Sequence, residues 1–94
     1  MKPIMTPERV ELAKTKDGAV WLIGIDLGDY LNKRTIAQEY FGKSREWLTQ
    51  RIIGSQVNGK KAEFKPEEYE KFSDALRDIA KRFNDAADML DAAQ

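Results

Sequence analysis

The 94-residue chain contains no cysteine and no histidine. These absences exclude disulfides, thiolate nucleophiles, histidine general bases and the usual zinc ligand sets. Carboxylate-only metal or acid–base sites remain open. However, half of the 16 Asp and Glu residues lie on one helical segment among Lys and Arg, which is typical of a solvated helix face. We therefore expect neither an enzyme nor a bound cofactor or metal.

Long apolar segments are also lacking. The longest one, Ala19 to Leu27, is interrupted by Gly24 and Asp26 and is far shorter than the ~18 residues of a membrane-spanning helix. Residues 1–7 contain a lysine but no apolar stretch, so we expect no signal peptide. These features predict a cytoplasmic protein with no membrane partner. The hydrophobic content of 41% is sufficient for a single domain, 1–94, with one modest core.

The charge of the chain is unevenly distributed although its net value is zero. Residues 1–32 carry a net charge of −1, residues 33–61 carry +5 and residues 62–94 carry −4. A phosphate backbone responds to the local field, so the cationic middle segment is the part suited to nucleic acid.

Residues 1–31 are the most ambiguous part of the sequence. A helix start is indicated by Thr6, Pro7 and Glu8. Apolar and polar residues alternate roughly from Val10 to Thr15, and Lys16 to Gly18 form a turn signal. Ala19 to Ile25 is an apolar run that favours a strand. We expect an N-terminal β-hairpin packed on a helical body. The alternative is a helix through Gly18, at a cost of about 1 kcal/mol for an interior glycine.

Residues 32–54 predict a helix, a tight turn and a second helix. The helices are Lys33 to Phe41 and Arg45 to Ile53, with Asn32 and Ser44 as N-caps and with Gly42 and Gly54 as terminating glycines. Ala37 is small enough to lie where the two helices cross. On the second helix Trp47, Leu48 and Ile52 face inward, and we expect Trp21 to lie in the core as well.

The outward side chains of the second helix match the chemistry of base recognition. Arg45 suits guanine N7 and O6, Gln50 suits adenine, Thr49 suits a thymine methyl or a phosphate, and Glu46 accepts from cytosine N4. The alternative is that these are ordinary surface residues.

Phosphate contacts are expected from the cations that flank these positions. Lys43 and Ser44 begin the second helix, and Lys33 and Arg34 begin the first. Lys60 and Lys61 follow the tight-turn signal Asn58-Gly59 within the connecting loop 55–65, where they form either a wing near the DNA backbone or a solvated turn.

The stretch from Thr35 to Gly54 resembles the helix-turn-helix of the phage-repressor-like (λ repressor/Cro-type) regulators. Their second helix often has the pattern S-R-x-W-L-S-x-I-x-x-G, which corresponds here to the run from Ser44 to Gly54. Two features differ from that pattern. The first helix has one more residue before Gly42, and Arg51 replaces an apolar core residue. Arg51 therefore requires either a slight rotation of the helix or a buried or edge-on contact.

A longer pattern, YFGKS..W..QR..G..VNGK to Phe64, is similar to a family of short uncharacterised bacterial proteins. It starts at Tyr40 and, with the region that follows, covers about the last two thirds of the chain. This resemblance implies a compact helical fold and no particular activity.

Residues 66–92 predict a long helix that begins at Pro66. Apolar residues at heptad spacing form one seam along it: Tyr69, Phe72, Leu76, Ile79, Phe83, Ala86 and Leu90. One interpretation is that the whole seam packs on the protein's own core. The other is that its distal part (Phe83, Ala86, Leu90) pairs with a second copy to form a homodimer.

These observations predict a mainly α fold, a small helix-turn-helix bundle with a long C-terminal helix. The expected function is sequence-specific binding of double-stranded DNA, as a transcriptional regulator or a mobile-element protein. The alternative is a protein-protein interaction module on the same fold that does not bind DNA.

Overall fold

The computed structural model describes residues 7–94, without the side chains of residues 7–9 and 57. The predicted capping role of Thr6 lies outside these residues. The elements in chain order are α1 (Pro7–Leu12), α2 (Lys16–Leu27), a 3₁₀ turn (Gly28–Tyr30), α3 (Lys33–Ile36), a π-helical turn (Ala37–Phe41), α4 (Arg45–Ile53), β1 (Gln56–Val57), β2 (Lys60–Lys61) and α5 (Pro66–Ala92). The mainly helical fold with a long C-terminal helix is confirmed.

The predicted N-terminal β-hairpin is wrong, because residues 16–27 form the helix α2. The Thr15 hydroxyl caps this helix by accepting from the Gly18 N–H at 3.2 Å. The glycines that weakened the helical alternative are points of close approach. A Cβ at Gly18 would lie 2.0 Å from the Leu12 carbonyl oxygen, and one at Gly24 would lie 2.4 Å from Cγ2 of Ile52. Packing thus requires the residues that helix propensity disfavours.

The prediction that Trp21 lies in the core is also wrong. Val20 and Leu22 are buried, whereas Trp21 is 43% exposed. Successive residues of a helix point about 100° apart, so a helix that faces Val20 and Gly24 toward the core turns Trp21 away from it.

The helix that starts at Lys33 ends in a π-helical turn. The Asn32 side chain accepts from the Thr35 N–H at 3.0 Å, as predicted for an N-cap. At the other end Gly42 has a φ of 64°, and the Lys43 N–H donates to the Ala37 carbonyl, six residues earlier, at 2.9 Å. A π-helical turn accommodates one additional residue in a helix.

We call α3, the π-helical turn and α4 (residues 33–53) the helix-turn-helix unit. One hydrophobic core joins α2, this unit and α5. Its buried members are Val20, Ile36, Ala37, Leu48, Ile52, Phe64 and Phe72. The predicted crossing residue Ala37 is fully buried, and Leu48 and Ile52 face inward as expected. Phe64 comes from the segment that the sequence predicts as a connecting loop.

Residues 56–61 form a small antiparallel hairpin. Gln56 pairs with Lys61, and Val57 pairs with Lys60. Asn58 and Gly59 between them have φ values of 53° and 77°. Positive φ at both central residues is the requirement of a type I′ turn, so the tight turn predicted from Asn58-Gly59 is confirmed.

The seam of α5 divides into two parts. Phe72 is buried, and Tyr69, Leu76 and Ile79 pack against the core while remaining partly exposed. From Ala80 to the end of the helix every residue is exposed. The interpretation that the whole seam packs on the protein's own core is therefore wrong for its distal part.

We predict that Gly24→Ala lowers the free energy of unfolding. The added methyl would overlap Ile52, and overpacking of this kind costs about 1–3 kcal/mol, more than the ~1 kcal/mol gained in helix propensity. Gly28→Ala is the matched control, because its Cβ would approach only the flexible end of Lys33, at 3.9 Å. Urea unfolding of both variants tests the packing of α2 on α4. Equal or increased stability of Gly24→Ala would contradict it.

Candidate nucleic-acid interface

Helix α4 presents a partly polar face to solvent. The Ser44 hydroxyl caps it by accepting from the Trp47 N–H at 3.1 Å. Arg45 and Glu46 are exposed, as predicted, while Thr49 and Gln50 are half-buried. Ile53, which the sequence analysis did not single out, is 57% exposed on the same side of the helix. The exposed sector therefore combines charged, polar and apolar side chains.

Three of the predicted cations lie together. Lys33, Arg34 and Arg45 line one shallow groove of about 280 Å³, with Leu31 and Asn32 completing it. The groove forms where the start of α3 meets the start of α4. We call this groove the cationic groove. It lies beside the exposed face of α4, so the predicted phosphate-contacting and base-contacting residues are next to each other.

Arg51 makes a half-buried contact on the face of the Trp47 ring, so of the alternatives left by the sequence the structure is nearer to the buried contact than to the edge-on one. Its guanidinium carbon lies 4.3 Å from the centroid of the Trp47 ring, and its Nη1 donates to the Trp47 carbonyl at 3.1 Å. Lys43 is also near this ring, with Nζ 6.0 Å from the centroid. Stacking on an aromatic face stabilises both cations. Arg51 is thereby held against α4 and does not join the cationic groove.

Lys61 lies away from the cationic groove. Its Nζ is 2.8 Å from Oδ2 of Asp17, and it shares a different groove with Trp21 and Ile53 near the other end of α4. The hydrogen bond from Lys61 lowers the pKa of Asp17, and the same bond raises the pKa of Lys61. Lys60 is exposed on the hairpin. The predicted wing is thus tied to α2, and one of its two cations is already paired.

The ion pairs show which of the predicted cations are available to bind a ligand. Within residues 10–94, no carboxylate lies within ion-pair distance of five of the predicted cations: Lys33, Arg34, Lys43, Arg45 and Lys60. The acidic Glu39 and Glu46 are the nearby opposing charges in the sequence. The surface is therefore moderately cationic.

The described part of the chain contains no group of three or more carboxylates that could hold a metal ion. Over the same residues, no helix has both the length and the apolar character needed to cross a membrane.

The helix-turn-helix unit is also bonded to α5. The Tyr40 hydroxyl, in the π-helical turn, donates to the Asp78 carboxylate. Asp78 also lies 3.4 Å from Nη2 of Arg82. The hydrogen bond to Asp78 raises the pKa of Tyr40 above its ordinary value, with burial and the Asp78 charge acting in the same direction. This bond fixes the unit that carries α4 to the long helix.

The chain belongs to the family described as Domain of unknown function (DUF5053), which matches residues 24–90. The match spans the end of α2, the helix-turn-helix unit, the hairpin and nearly all of α5. No significant match is found among curated proteins or among solved structures. The resemblance to the λ repressor/Cro-type regulators stays a prediction from the sequence.

We predict that Tyr40→Phe destabilises the protein at neutral pH and that this difference disappears in alkali. Because the folded-state pKa of Tyr40 is raised, its contribution is fully present below the ordinary tyrosine pKa of 10 and is lost as the pH rises through the folded value. Urea unfolding at pH 7 and at increasing alkaline pH measures this. Asp78→Asn keeps an acceptor but removes the charge, so its alkaline loss should be smaller. If the difference in stability between the wild type and Tyr40→Phe did not depend on pH, the hydrogen bond from Tyr40 to Asp78 would not be its cause.

Proposed function

We propose that the protein binds double-stranded DNA sequence-specifically, as a transcriptional regulator or a mobile-element protein, with α4 in the major groove. The observation that carries the proposal is the cationic groove, which lies beside the exposed face of α4. An α-helix with its side chains is about 10–12 Å across, which fits the ~12 Å width of the major groove.

In this arrangement the phosphate contacts come from both edges of α4. Lys33 and Arg34 contact backbone phosphates from the cationic groove. Lys43 and Ser44 contact backbone phosphates from the turn before α4. Lys60 extends the phosphate contacts from the hairpin, and Lys61 joins it only by leaving Asp17. The expected number of phosphate contacts is therefore lower than the count of lysines and arginines in residues 33–61.

Base contacts are assigned to the exposed and half-buried residues of α4. Arg45 is the strongest candidate because it is exposed and offers two parallel donors to guanine. Glu46, Thr49 and Gln50 supply the remaining polar contacts. Ile53, exposed on the same side, suits the methyl group of thymine.

A second candidate function is a protein-protein interaction module that does not bind DNA. Two observations favour it: the net charge of −4 over residues 62–94, and the exposed apolar residues Trp21 and Ile53, which share one groove near the end of α4. An acidic long helix opposes a polyanion at close range. The two functions differ in their response to DNA and salt.

We predict binding to mixed-sequence duplex DNA that weakens steeply with salt. If about three to five phosphates are neutralised, the logarithm of the affinity should fall with a slope of roughly −3 to −4.5 against the logarithm of salt concentration. Fluorescence anisotropy with a labelled duplex, from about 50 mM salt upward, measures this slope. The absence of binding at the lowest salt concentration would contradict the proposal of DNA binding. The protein-protein interaction module would then be the remaining candidate function.

We predict that Arg45→Ala reduces sequence preference. Duplexes selected from a random pool would be compared with scrambled versions of the same composition. Loss of a bidentate contact to guanine should reduce the preference by about tenfold or more. Lys33→Ala should lower the affinity for both duplexes equally. Lys71→Ala removes an exposed cation of α5 and should change neither affinity. An equal loss on both duplexes for Arg45→Ala would limit this residue to phosphate contact.

A further inference from the structure

The last three turns of α5 carry an apolar stripe that is largely exposed, with Phe83 at its base lining a groove against the body of the protein. Phe83, Met89 and Leu90 are 66%, 71% and 75% exposed. The stripe continues the heptad seam whose first half packs in the core, with Phe83, Ala86 and Leu90 at seam positions. We call residues 80–92 the distal helix. Its apolar face is built on the same pattern as a face that is buried a few turns earlier.

The charged residues of the distal helix lie mainly beside or opposite this stripe. Lys81 pairs with Asp85 at 2.8 Å, and Arg82 pairs with Asp78 at 3.4 Å. Asp88 and Asp91 fall at heptad positions outside the seam. A partner helix laid on the stripe would therefore bury apolar surface without leaving an unpaired charge in the interface, which would be costly.

A groove of about 230 Å³ lies at the base of the distal helix. It is predominantly apolar, and its lining includes Leu31, Ile36, Tyr40, Ile79 and Phe83. Ile79 and Phe83 belong to the seam itself. The concave groove and the convex stripe of the distal helix are thus neighbouring parts of one apolar surface.

We propose that two copies of the chain pair through their distal helices in antiparallel orientation. In the register that alternates seam positions, Phe83 faces Ala86 of the second copy, and Leu90 faces Ile79 of the second copy at the groove. The two-fold axis then passes between residues 84 and 85. The contacts are mutual, as a two-fold interface requires: each copy inserts its Leu90 beside the groove of the other.

Charge favours the antiparallel orientation over the parallel one. The distal helix starts with Lys81 and Arg82 and ends with Asp88 and Asp91. Lys81 and Arg82 are paired with Asp residues of their own helix, so the start of the distal helix is neutral while its end is anionic. Antiparallel pairing keeps the two anionic ends apart, whereas parallel pairing would align them. The helix dipoles are also opposed in the antiparallel pair.

The exposed area of the stripe is smaller than the interface of a typical stable dimer. The exposed side chains of Phe83, Met89 and Leu90, with Tyr30 at the groove, supply on the order of 500 Å² per copy, below the ~800 Å² per partner of a typical stable complex. We therefore expect a reversible dimer that dissociates on dilution.

Sedimentation equilibrium of the intact chain, from about 1 μM to several hundred μM, tests the pairing. We expect a monomer–dimer equilibrium that Leu90→Glu weakens at least tenfold. Asn84→Glu places the same charge outside the seam and should leave the equilibrium unchanged. Because both residues are exposed, neither substitution disturbs the core, and circular dichroism checks this. A monomer at all concentrations, or equal effects of the two variants, would overturn the proposal.

Disulfide exchange between single-cysteine variants tests the orientation, since the chain has no cysteine of its own. Ala80 and Ala87 are exposed and flank the seam on the same side. In the antiparallel pair Ala80→Cys lies near Ala87→Cys of the other copy, while two copies of either variant hold their cysteines about 8–14 Å apart along the axis. An equimolar mixture should give mainly the mixed disulfide. Predominantly like-with-like disulfides would overturn the antiparallel arrangement.

Discussion

The burial of Phe64 is the interaction on which the rest of the structure depends. Its ring stacks on Phe41 at 5.5 Å and lies 5.8 Å from the ring of Trp47, both in the helix-turn-helix unit. On the opposite side it contacts Tyr69 and Phe72 of α5, each at 5.5 Å. One side chain from the segment between the hairpin and α5 thus joins the two halves of the fold. The orientation of α4, and with it any DNA contact, depends on this aromatic cluster.

The helix-turn-helix boundaries could be predicted from the sequence because they are set by local chemistry. Asn32 and Ser44 each accept a hydrogen bond from a backbone N–H three residues later, and this signal lies within one turn of chain. Gly42 and the Asn58-Gly59 pair adopt positive φ, which few other residues tolerate. The exposure of Arg45 and Glu46 follows from the same helical period that buries Leu48.

Long-range packing could not be predicted in this way. Gly18 indicated a turn and the apolar run after it indicated a strand. Only the positions of Leu12 and Ile52 explain why a helix contains Gly18 and Gly24. The pairing of Lys61 with Asp17 joins residues 44 positions apart, and it neutralises one cation of the segment 33–61, whose net charge is +5. The site is therefore smaller than the sequence indicated: the exposed side of α4 and the cationic groove, with the hairpin only partly involved.

Mapping of backbone amide chemical shifts on addition of duplex DNA at low salt tests the central claim most directly. The account predicts that the largest changes occur at Lys33, Arg34 and residues 43–50, that Ile53 follows them, and that residues 80–92 change little. Addition of the same DNA at high salt should reverse these changes, because phosphate contacts dominate the affinity. Changes confined to α5, or no changes at all, would contradict the assignment of α4 as a DNA-binding helix.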